Sequence, residues 1–225
     1  MRDYLFFDLD GTLVDSEEGI LGGVAYAAEK LGLPRRSRAE MLRYIGPPLD
    51  VAFTEDYGLD AENARLAVAA YREYYNARGI FECRLYNGVS EMLDRLCDAG
   101  YNLALATGKP TVMARRILIH FGILDRFGFV SGPELDGTRG KKREVIVHAM
   151  EQLGVDASDR VLMIGDRLFD VQGAHEVGVP CAGVLWGFGS EDELTEAGAD
   201  RLFRTPAALA DALTAERVSP IPHRT

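Results

Sequence analysis

Two aspartates lie two positions apart directly after a short apolar run near the start of the chain. Residues 4–7 are apolar or aromatic, Asp8 follows them, and Asp10 precedes Gly11. Two carboxylates this close can divide the work of phosphoryl transfer, one as the nucleophile and the other as the carrier of a proton. An isolated Asp-x-Asp-Gly segment is more typical of a turn, so the chemistry depends on polar residues elsewhere in the chain.

Polar residues also follow two later apolar runs. Thr107 comes after residues 103–106, and Asp166 comes after residues 161–164. Asp170, four positions beyond Asp166, would lie on the same face of a helix. The carboxyl ends of parallel strands meet at one edge of a sheet, so these side chains are predicted to share a cleft with the first aspartates.

Such a cluster of carboxylates needs a cation. Two like charges about 4 Å apart repel by about 4 kcal/mol at an effective dielectric constant of about 20. Oxygen ligands without His or Cys favour a hard ion, and Mg²⁺ is the usual choice where a phosphate completes the coordination. Lys141 and Lys142 precede a predicted helix, and a lysine there, with Thr107 and the cation, would form a site for a phosphoryl dianion.

The apolar runs predict the elements that position these residues. The runs are continuous rather than alternating, which is typical of strands buried on both faces of a parallel sheet. Helical patterns between them end at Gly122, Gly154 and Gly178. The alternation of strand and helix predicts an α/β fold, a doubly wound parallel sheet with a Rossmann-like core. The predicted strands cover residues 4–7, 103–106, 127–130, 161–164 and 184–185.

A long helical stretch interrupts this alternation. Residues 16–86 contain helical periodicity without a strand-like run, including a capping box at Ser37 and a long helix over residues 61–78. The stretch is too long for a loop between strand and helix, which usually takes about 2–6 residues. We therefore predict a small helical domain of residues 16–86 inserted into a core of residues 1–15 and 87–225.

Composition limits the classes of partner. The 225 residues include 47% hydrophobic and 27% charged residues, with a net charge of −10. This charge disfavours nucleic acid, no apolar run reaches the length of a membrane span, and no signal peptide is predicted. The cysteines are odd in number and form no metal-binding pair. We expect a cytoplasmic protein, a monomer or small homo-oligomer, with a small phosphorylated metabolite as its partner and fraying over residues 219–225.

Together these segments resemble the haloacid dehalogenase-like hydrolases. Residues 8–15 resemble the first signature of that family, residues 106–109 the second, Lys142 the third and residues 165–170 the fourth. The order of the signatures agrees over almost the whole chain. Residues 16–86 resemble the helical cap domain of one branch and are called the cap below. Residues 45–49 and 183–189 resemble phosphoglycolate phosphatase-like and nucleotidase-like members.

The resemblance implies a Mg²⁺-dependent phosphatase that works through an aspartyl-phosphate. Asp8 would be the nucleophile, and Asp10 would protonate the leaving alcohol and then activate water. Thr107 would hydrogen-bond the phosphoryl oxygens and Lys142 would neutralise them, with Lys141 as the competing lysine. Mg²⁺ would be held by Asp8, the backbone carbonyl of Asp10 and Asp166, with Asp170 in support. The predicted substrate-binding residues are Gly11, Thr12, Gly108, Lys109 and Arg167.

Several alternatives stay open at this point. Asp10 favours phosphoryl transfer over carbon–halogen cleavage, and Thr12 favours a phosphatase over a sugar-phosphate phosphomutase. Phosphoglycolate, a nucleoside monophosphate and pyrophosphate are all candidate substrates. A non-catalytic receiver-like module that accepts a phosphoryl group is a further alternative, although such modules usually lack a helical insert. In the cap, the candidates for facing the substrate are Arg43, Tyr44, Phe53 and Arg78.

Overall fold

The computed structural model describes residues 3–218, and strands alternate with helices over most of that range. Short 3-10 turns occupy residues 42–44, 79–81, 124–126 and 158–160. The strands are β1 (Tyr4–Phe7), β2 (Val14–Asp15), β3 (Arg84–Leu85), β4 (Asn102–Ala106), β5 (Phe127–Ser131), β6 (Val161–Gly165), β7 (Cys181–Val184) and β8 (Arg201–Phe203). The helices are α1 (Glu17–Lys30), α2 (Arg38–Met41), α3 (Leu49–Tyr57), α4 (Ala61–Ala77), α5 (Val89–Asp98), α6 (Thr111–His120), α7 (Lys142–Leu153), α8 (Leu168–His175), α9 (Glu191–Glu196) and α10 (Pro206–Val218).

Six of the strands form one parallel sheet with β1 near its centre. The order is β5-β4-β1-β6-β7-β8, and every neighbouring pair is parallel. The strand order reverses beside β1, which confirms the predicted doubly wound sheet. Alternate side chains of β1 enter opposite cores: Leu5 and Phe7 pack with α5, α6 and α10, whereas Phe6 packs with α7 and α8.

The helices of the cap lie between two very short strands. β2 and β3 pair antiparallel, so the chain leaves the core and returns to it at neighbouring points. Within the cap, α1 packs against α4. A Cβ on Gly23 of α1 would lie 2.6 Å from the ring of Tyr71 in α4, so glycine permits this close approach. We keep the division into a core of residues 1–15 and 87–225 and a cap of residues 16–86 as a proposal.

Some predicted element boundaries were wrong. The last predicted strand, residues 184–185, lies instead at Cys181–Val184, and β8 was missed. Residues 16–86 were predicted to contain no strand, but β3 lies within them. Strands of two or three residues are too short to show a periodicity in the sequence. Whether they form depends on pairing with another strand in the folded protein. The fraying predicted for residues 219–225 lies outside the described residues. Within residues 3–218, no helix combines the length and the apolar character that a membrane crossing requires.

Truncation of a central strand residue tests this core. Phe7 is fully buried and its ring meets Phe127 edge-on at 6.4 Å between centroids. Phe7→Ala should lower the free energy of unfolding, measured by urea denaturation, by about 3–5 kcal/mol because a cavity replaces the ring. Val112→Ala, at a position 44% exposed, should change it by no more than about 0.5 kcal/mol. Equal effects of the two variants would contradict the proposed core.

Candidate active site

The carboxyl ends of β1 and β6 bring three buried aspartates together. Asp8 follows β1, Asp166 follows β6, and Asp170 projects from the first turn of α8. One oxygen of each carboxylate lies within 4.8 Å of the others, and all three residues are buried. The register explains the meeting, because Phe7 pairs with Ile164 and both strands end at the same edge. Asp8 thus meets Asp166, which is 158 positions away in the sequence, in one site.

Asp166 is held from two sides by groups of the core. Thr12 Oγ1 donates a hydrogen bond to Asp166 Oδ1 at 3.2 Å, and the backbone N–H of Phe188 donates to Oδ2 at 2.8 Å. Burial raises the pKa of Asp166 well above its usual value, and the charges of Asp170 and Asp8 add to the effect. Thr12 therefore contacts a site carboxylate, and its contact with a substrate stays a prediction.

Two features of this neighbourhood concern the backbone. Gly11 has φ +86°, and a Cβ there would lie 2.1 Å from Asp166 Oδ2, so only glycine fits. The Phe188 donor was not predicted, since a backbone N–H can belong to any residue. The only indication in the sequence was the glycine-flanked segment 187–189. A Cβ on Gly189 would lie 1.9 Å from the Asp166 carbonyl oxygen, so this segment packs directly against the aspartate.

Lys142 is the lysine that reaches the carboxylates. Its Nζ lies 2.7 Å from Asp8 Oδ1 and 2.7 Å from Asp170 Oδ1, and it donates to the Ala106 carbonyl at 3.1 Å. Burial alone would lower the pKa of Lys142, but the Asp170 and Asp8 carboxylates raise it above its usual value. Lys141 precedes α7 and is exposed, so the geometry favours Lys142 between the two candidates.

Asp8 keeps a raised pKa despite this lysine. Burial has the largest effect and raises the pKa of Asp8, while the charge of Lys142 lowers it. Thr107, the first residue after β4, is buried nearby, and its Oγ1 accepts a hydrogen bond from the Lys109 backbone N–H at 3.1 Å. Gly108 is exposed and faces the cap loop, because a Cβ on it would lie 3.7 Å from the Gly46 carbonyl oxygen.

Lys109 and Asp10 form a second ion pair in the site. Lys109 Nζ lies 2.9 Å and 2.7 Å from the two carboxylate oxygens of Asp10. The ammonium also lies 5.0 Å from the ring centroid of Tyr75 in α4. The sequence predicted Lys109 as a substrate-binding residue, whereas in the structure its ammonium is paired with the Asp10 carboxylate.

Arg167 links the core to the cap. Its Nη1 donates to the Ile45 carbonyl at 2.5 Å, and its Nε donates to Glu193 Oε1 at 2.8 Å. Glu193 Oε1 also accepts from the Leu168 backbone N–H at 2.9 Å, at the start of α8. The guanidinium of Arg167 thus joins the loop before α8 to residue 45 of the cap, and its contact with a substrate stays a prediction.

Cap residues predicted to face the substrate mostly pair within the cap. Tyr44 donates its hydroxyl hydrogen to Asp56 Oδ2 at 3.0 Å, and Arg43 Nη1 lies 3.5 Å from the same carboxylate. Phe53 is buried against the Tyr44 ring. These residues stabilise α3 and the turn before it, and Tyr75 is the aromatic side chain that covers the Asp10 ion pair.

The residues present fit a hard divalent cation. The cluster of Asp8, Asp166 and Asp170 offers only oxygen donors and carries more negative charge than one lysine balances. Lys142 Nζ lies 2.7 Å from Asp170 Oδ1 and 2.7 Å from Asp8 Oδ1, so its single charge is shared between two of the three carboxylates. Coordination to Mg²⁺ would balance the negative charge that remains.

Comparison with known proteins gives consistent matches. Residues 5–184 match the family model of haloacid dehalogenase-like hydrolases. A 5'-nucleotidase from Pseudomonas aeruginosa is 45% identical over 190 residues, which cover 84% of this chain and 86% of that protein. The tyrosine-protein kinase PtkA from Mycobacterium tuberculosis is 40% identical over 188 residues, covering 84% of this chain and 64% of that protein. A crystal structure of a predicted phosphatase from Clostridium acetobutylicum matches with a TM-score of 0.91 and 40% identity, covering 96% of this chain and 99% of that chain.

The raised pKa of Asp166 predicts a pH-dependent effect of its replacement in metal-free buffer. A carboxyl whose pKa is raised by folding binds its proton more tightly in the folded state, so its contribution to stability is lost as the pH rises through the folded pKa. Asp166→Asn removes this loss. Its free energy of unfolding, measured by chemical denaturation, should therefore exceed that of wild type near pH ~8. The difference should shrink towards pH ~5.

Asp136 supplies the control for this measurement. It is exposed, and the backbone N–H of Thr138 lowers its pKa, so its contribution has the opposite sign and Asp136→Asn should give no gain at the higher pH. A difference between Asp166→Asn and wild type that does not change with pH would contradict the raised pKa.

Proposed function

Because this chain belongs to the haloacid dehalogenase-like hydrolases and is 45% identical to a 5'-nucleotidase, we propose that it hydrolyses small phosphomonoesters with Mg²⁺ through an aspartyl-phosphate on Asp8. The observation that carries the proposal is the convergence of Asp8, Asp166, Asp170 and Lys142 at one edge of the sheet. The carboxylate of Asp8 is buried beside a fixed ammonium, which can stabilise the negative charge of a phosphoryl dianion during attack. In bulk water this electrostatic stabilisation would be screened.

The first step forms a bond between Asp8 and phosphorus. A carboxylate oxygen of Asp8 attacks the phosphoryl group, and the bond from phosphorus to the ester oxygen breaks. Asp10, which takes up a proton before this step, gives that proton to the departing alcohol. Lys142, the Thr107 hydroxyl and the Gly108 backbone N–H bind phosphoryl oxygens. When bound by Asp8, Asp166, Asp170 and the backbone carbonyl of Asp10, Mg²⁺ would neutralise charge on the phosphoryl group.

The second step returns the enzyme to its starting state. Asp10, now ionised, takes a proton from water, the water oxygen attacks phosphorus, and the bond from Asp8 to phosphorus breaks to release inorganic phosphate. The cap excludes bulk water during both steps, since Tyr75 and the loop at Ile45 lie over the site. We propose that these two contacts belong to the closed form of the enzyme.

The proposed substrate class is nucleoside monophosphates or phosphoglycolate-like acids. The nucleotidase relative favours the first, and the family resemblance of residues 45–49 and 183–189 allows both. A phosphomutase would use the same carboxylates but return the phosphoryl group to a sugar instead of water. Membership in a hydrolase family argues against the receiver-like alternative. A cytoplasmic location and a monomeric or small homo-oligomeric state are kept as proposals.

Removal of the nucleophile tests the proposed chemistry. Asp8→Asn should abolish phosphate release from 4-nitrophenyl phosphate and from nucleoside monophosphates, because an amide cannot form the acyl phosphate. The variant should keep the wild-type circular dichroism spectrum, since Asp8 lies at the end of β1 rather than in its core. Thr138→Ala, in an exposed loop, is the control and should retain the wild-type rate. Turnover by Asp8→Asn at the parent rate would contradict the assignment.

Mg²⁺ should stabilise the folded protein through the aspartate cluster. A ligand present at 100 times its Kd adds about 2.7 kcal/mol to stability, so saturating Mg²⁺ should raise the melting temperature of wild type measured after EDTA treatment. Asp166→Asn should lose most of this shift, because it lacks one of the proposed ligands. An equal shift in both proteins would place the ion elsewhere.

A panel of phosphorylated compounds decides the substrate class. Phosphate release from nucleoside monophosphates, phosphoglycolate, pyrophosphate and sugar phosphates should be measured with Mg²⁺ and with EDTA. Release from one of the first two classes at the highest kcat/KM, abolished by EDTA, is the expected result. Isomerisation of a sugar phosphate without phosphate release would replace the proposed function by that of a mutase.

A further inference from the structure

We propose that Lys109 is a positioning residue that holds the carboxylate of Asp10 in the orientation needed for proton transfer to the leaving group. The inference rests on the proposed phosphatase function, in which Asp10 is the general acid. It differs from the substrate-binding role that the sequence predicted for Lys109, and it predicts a different pattern of kinetic effects.

The contacts of the Lys109 ammonium lead to this role. Nζ donates to both oxygens of Asp10, at 2.9 Å and 2.7 Å, and the Lys109 side chain is only 6% exposed. No other hydrogen bond to the Asp10 carboxylate occurs within residues 3–218. An ion pair to both oxygens restricts rotation of the carboxylate, which sits on a loop rather than on a strand.

The backbone that carries Lys109 is itself fixed. The Thr107 N–H donates to the Ser131 carbonyl at 3.0 Å, and the Lys109 N–H donates to Thr107 Oγ1. A Cβ on Gly132 would lie 2.3 Å from the Lys109 carbonyl oxygen, so the end of β5 packs tightly against this turn. The ammonium is therefore presented to Asp10 from a rigid part of the core.

The cap completes the environment of the ion pair. The Tyr75 ring lies 5.0 Å from Lys109 Nζ and stacks on Tyr71 at 5.3 Å, which in turn rests against Gly23 of α1. A cation over an aromatic face is stabilised, and exclusion of water strengthens the pair with Asp10. The Lys109 ammonium thus contacts Asp10 of the core and Tyr75 of the cap in the same structure.

The two lysines of the site contact different carboxylates. Lys142 lies on Asp8 and Asp170, whereas Lys109 lies on Asp10. Loss of Lys109 should consequently impair proton transfer and leave attack by Asp8 largely intact. This distinction can be measured, because an alkyl leaving group needs a proton and 4-nitrophenolate does not.

The test compares two esters in wild type, Lys109→Met, Asp10→Asn and the double variant, with Mg²⁺ present. The rate of alcohol release before the steady state isolates the first step for 4-nitrophenyl phosphate and for an alkyl phosphate that the wild type accepts. Lys109→Met should reduce the alkyl ester rate by about 10²–10⁴-fold and change the nitrophenyl rate far less. In the Asp10→Asn background, Lys109→Met should have almost no further effect, because the two residues act as a unit.

Other results would overturn the proposal. A higher KM shared by both esters, with unchanged alcohol-release rates, would make Lys109 a substrate-binding residue. An equal loss of rate with both esters that persists in the Asp10→Asn background would make its role structural. If Lys109→Met does not fold, Lys109→Arg replaces it in the test. A smaller loss of rate is then expected, again confined mainly to the alkyl ester. Failure of wild type to release alcohol from either ester would instead refute the proposed phosphatase function, and this inference with it.

Discussion

Repulsion among buried carboxylates is the constraint on which this structure depends. Asp8, Asp166 and Asp170 meet at the ends of β1 and β6 with oxygens within 4.8 Å. At such distances each pair of charges costs several kcal/mol unless it is compensated. Lys142 compensates two of the three, and the Thr12 hydroxyl and the Phe188 N–H hydrogen-bond the third. The negative charge that remains on the three carboxylates is what a divalent cation can balance.

The sheet and the cap supply what this cluster needs. Parallel pairing of β1 with β6 brings the aspartates to one edge, and glycine at position 11 leaves room for the Asp166 carboxylate. The cap adds an aromatic cover over Asp10 and Lys109, and Arg167 connects it to the loop that begins α8. In the proposed mechanism, binding, proton transfer and exclusion of water thus belong to separate elements around Asp8.

The sequence predicted the parts of this site that depend on pattern. Asp8, Asp166 and Asp170 were expected together because each follows or adjoins an apolar run typical of a buried strand. The Phe188 N–H was missed because every residue but proline carries such a donor. The partner of Lys109 was also missed, since a long side chain can reach several groups and only tertiary packing selects one. β8 was not predicted for a related reason, because its three residues are too few to show a periodicity in the sequence.

Chemical trapping of the phosphorylated enzyme tests nucleophilic attack by Asp8 most directly. Borohydride reduces an acyl phosphate of aspartate to homoserine, so protein quenched during turnover of a nucleoside monophosphate or 4-nitrophenyl phosphate with Mg²⁺ can be reduced, digested and analysed by mass spectrometry. Homoserine is expected at position 8 when Mg²⁺ is present, and none is expected when Mg²⁺ is withheld. Phosphate release with position 8 recovered as aspartate in every quenched sample, or with homoserine at another position, would contradict it.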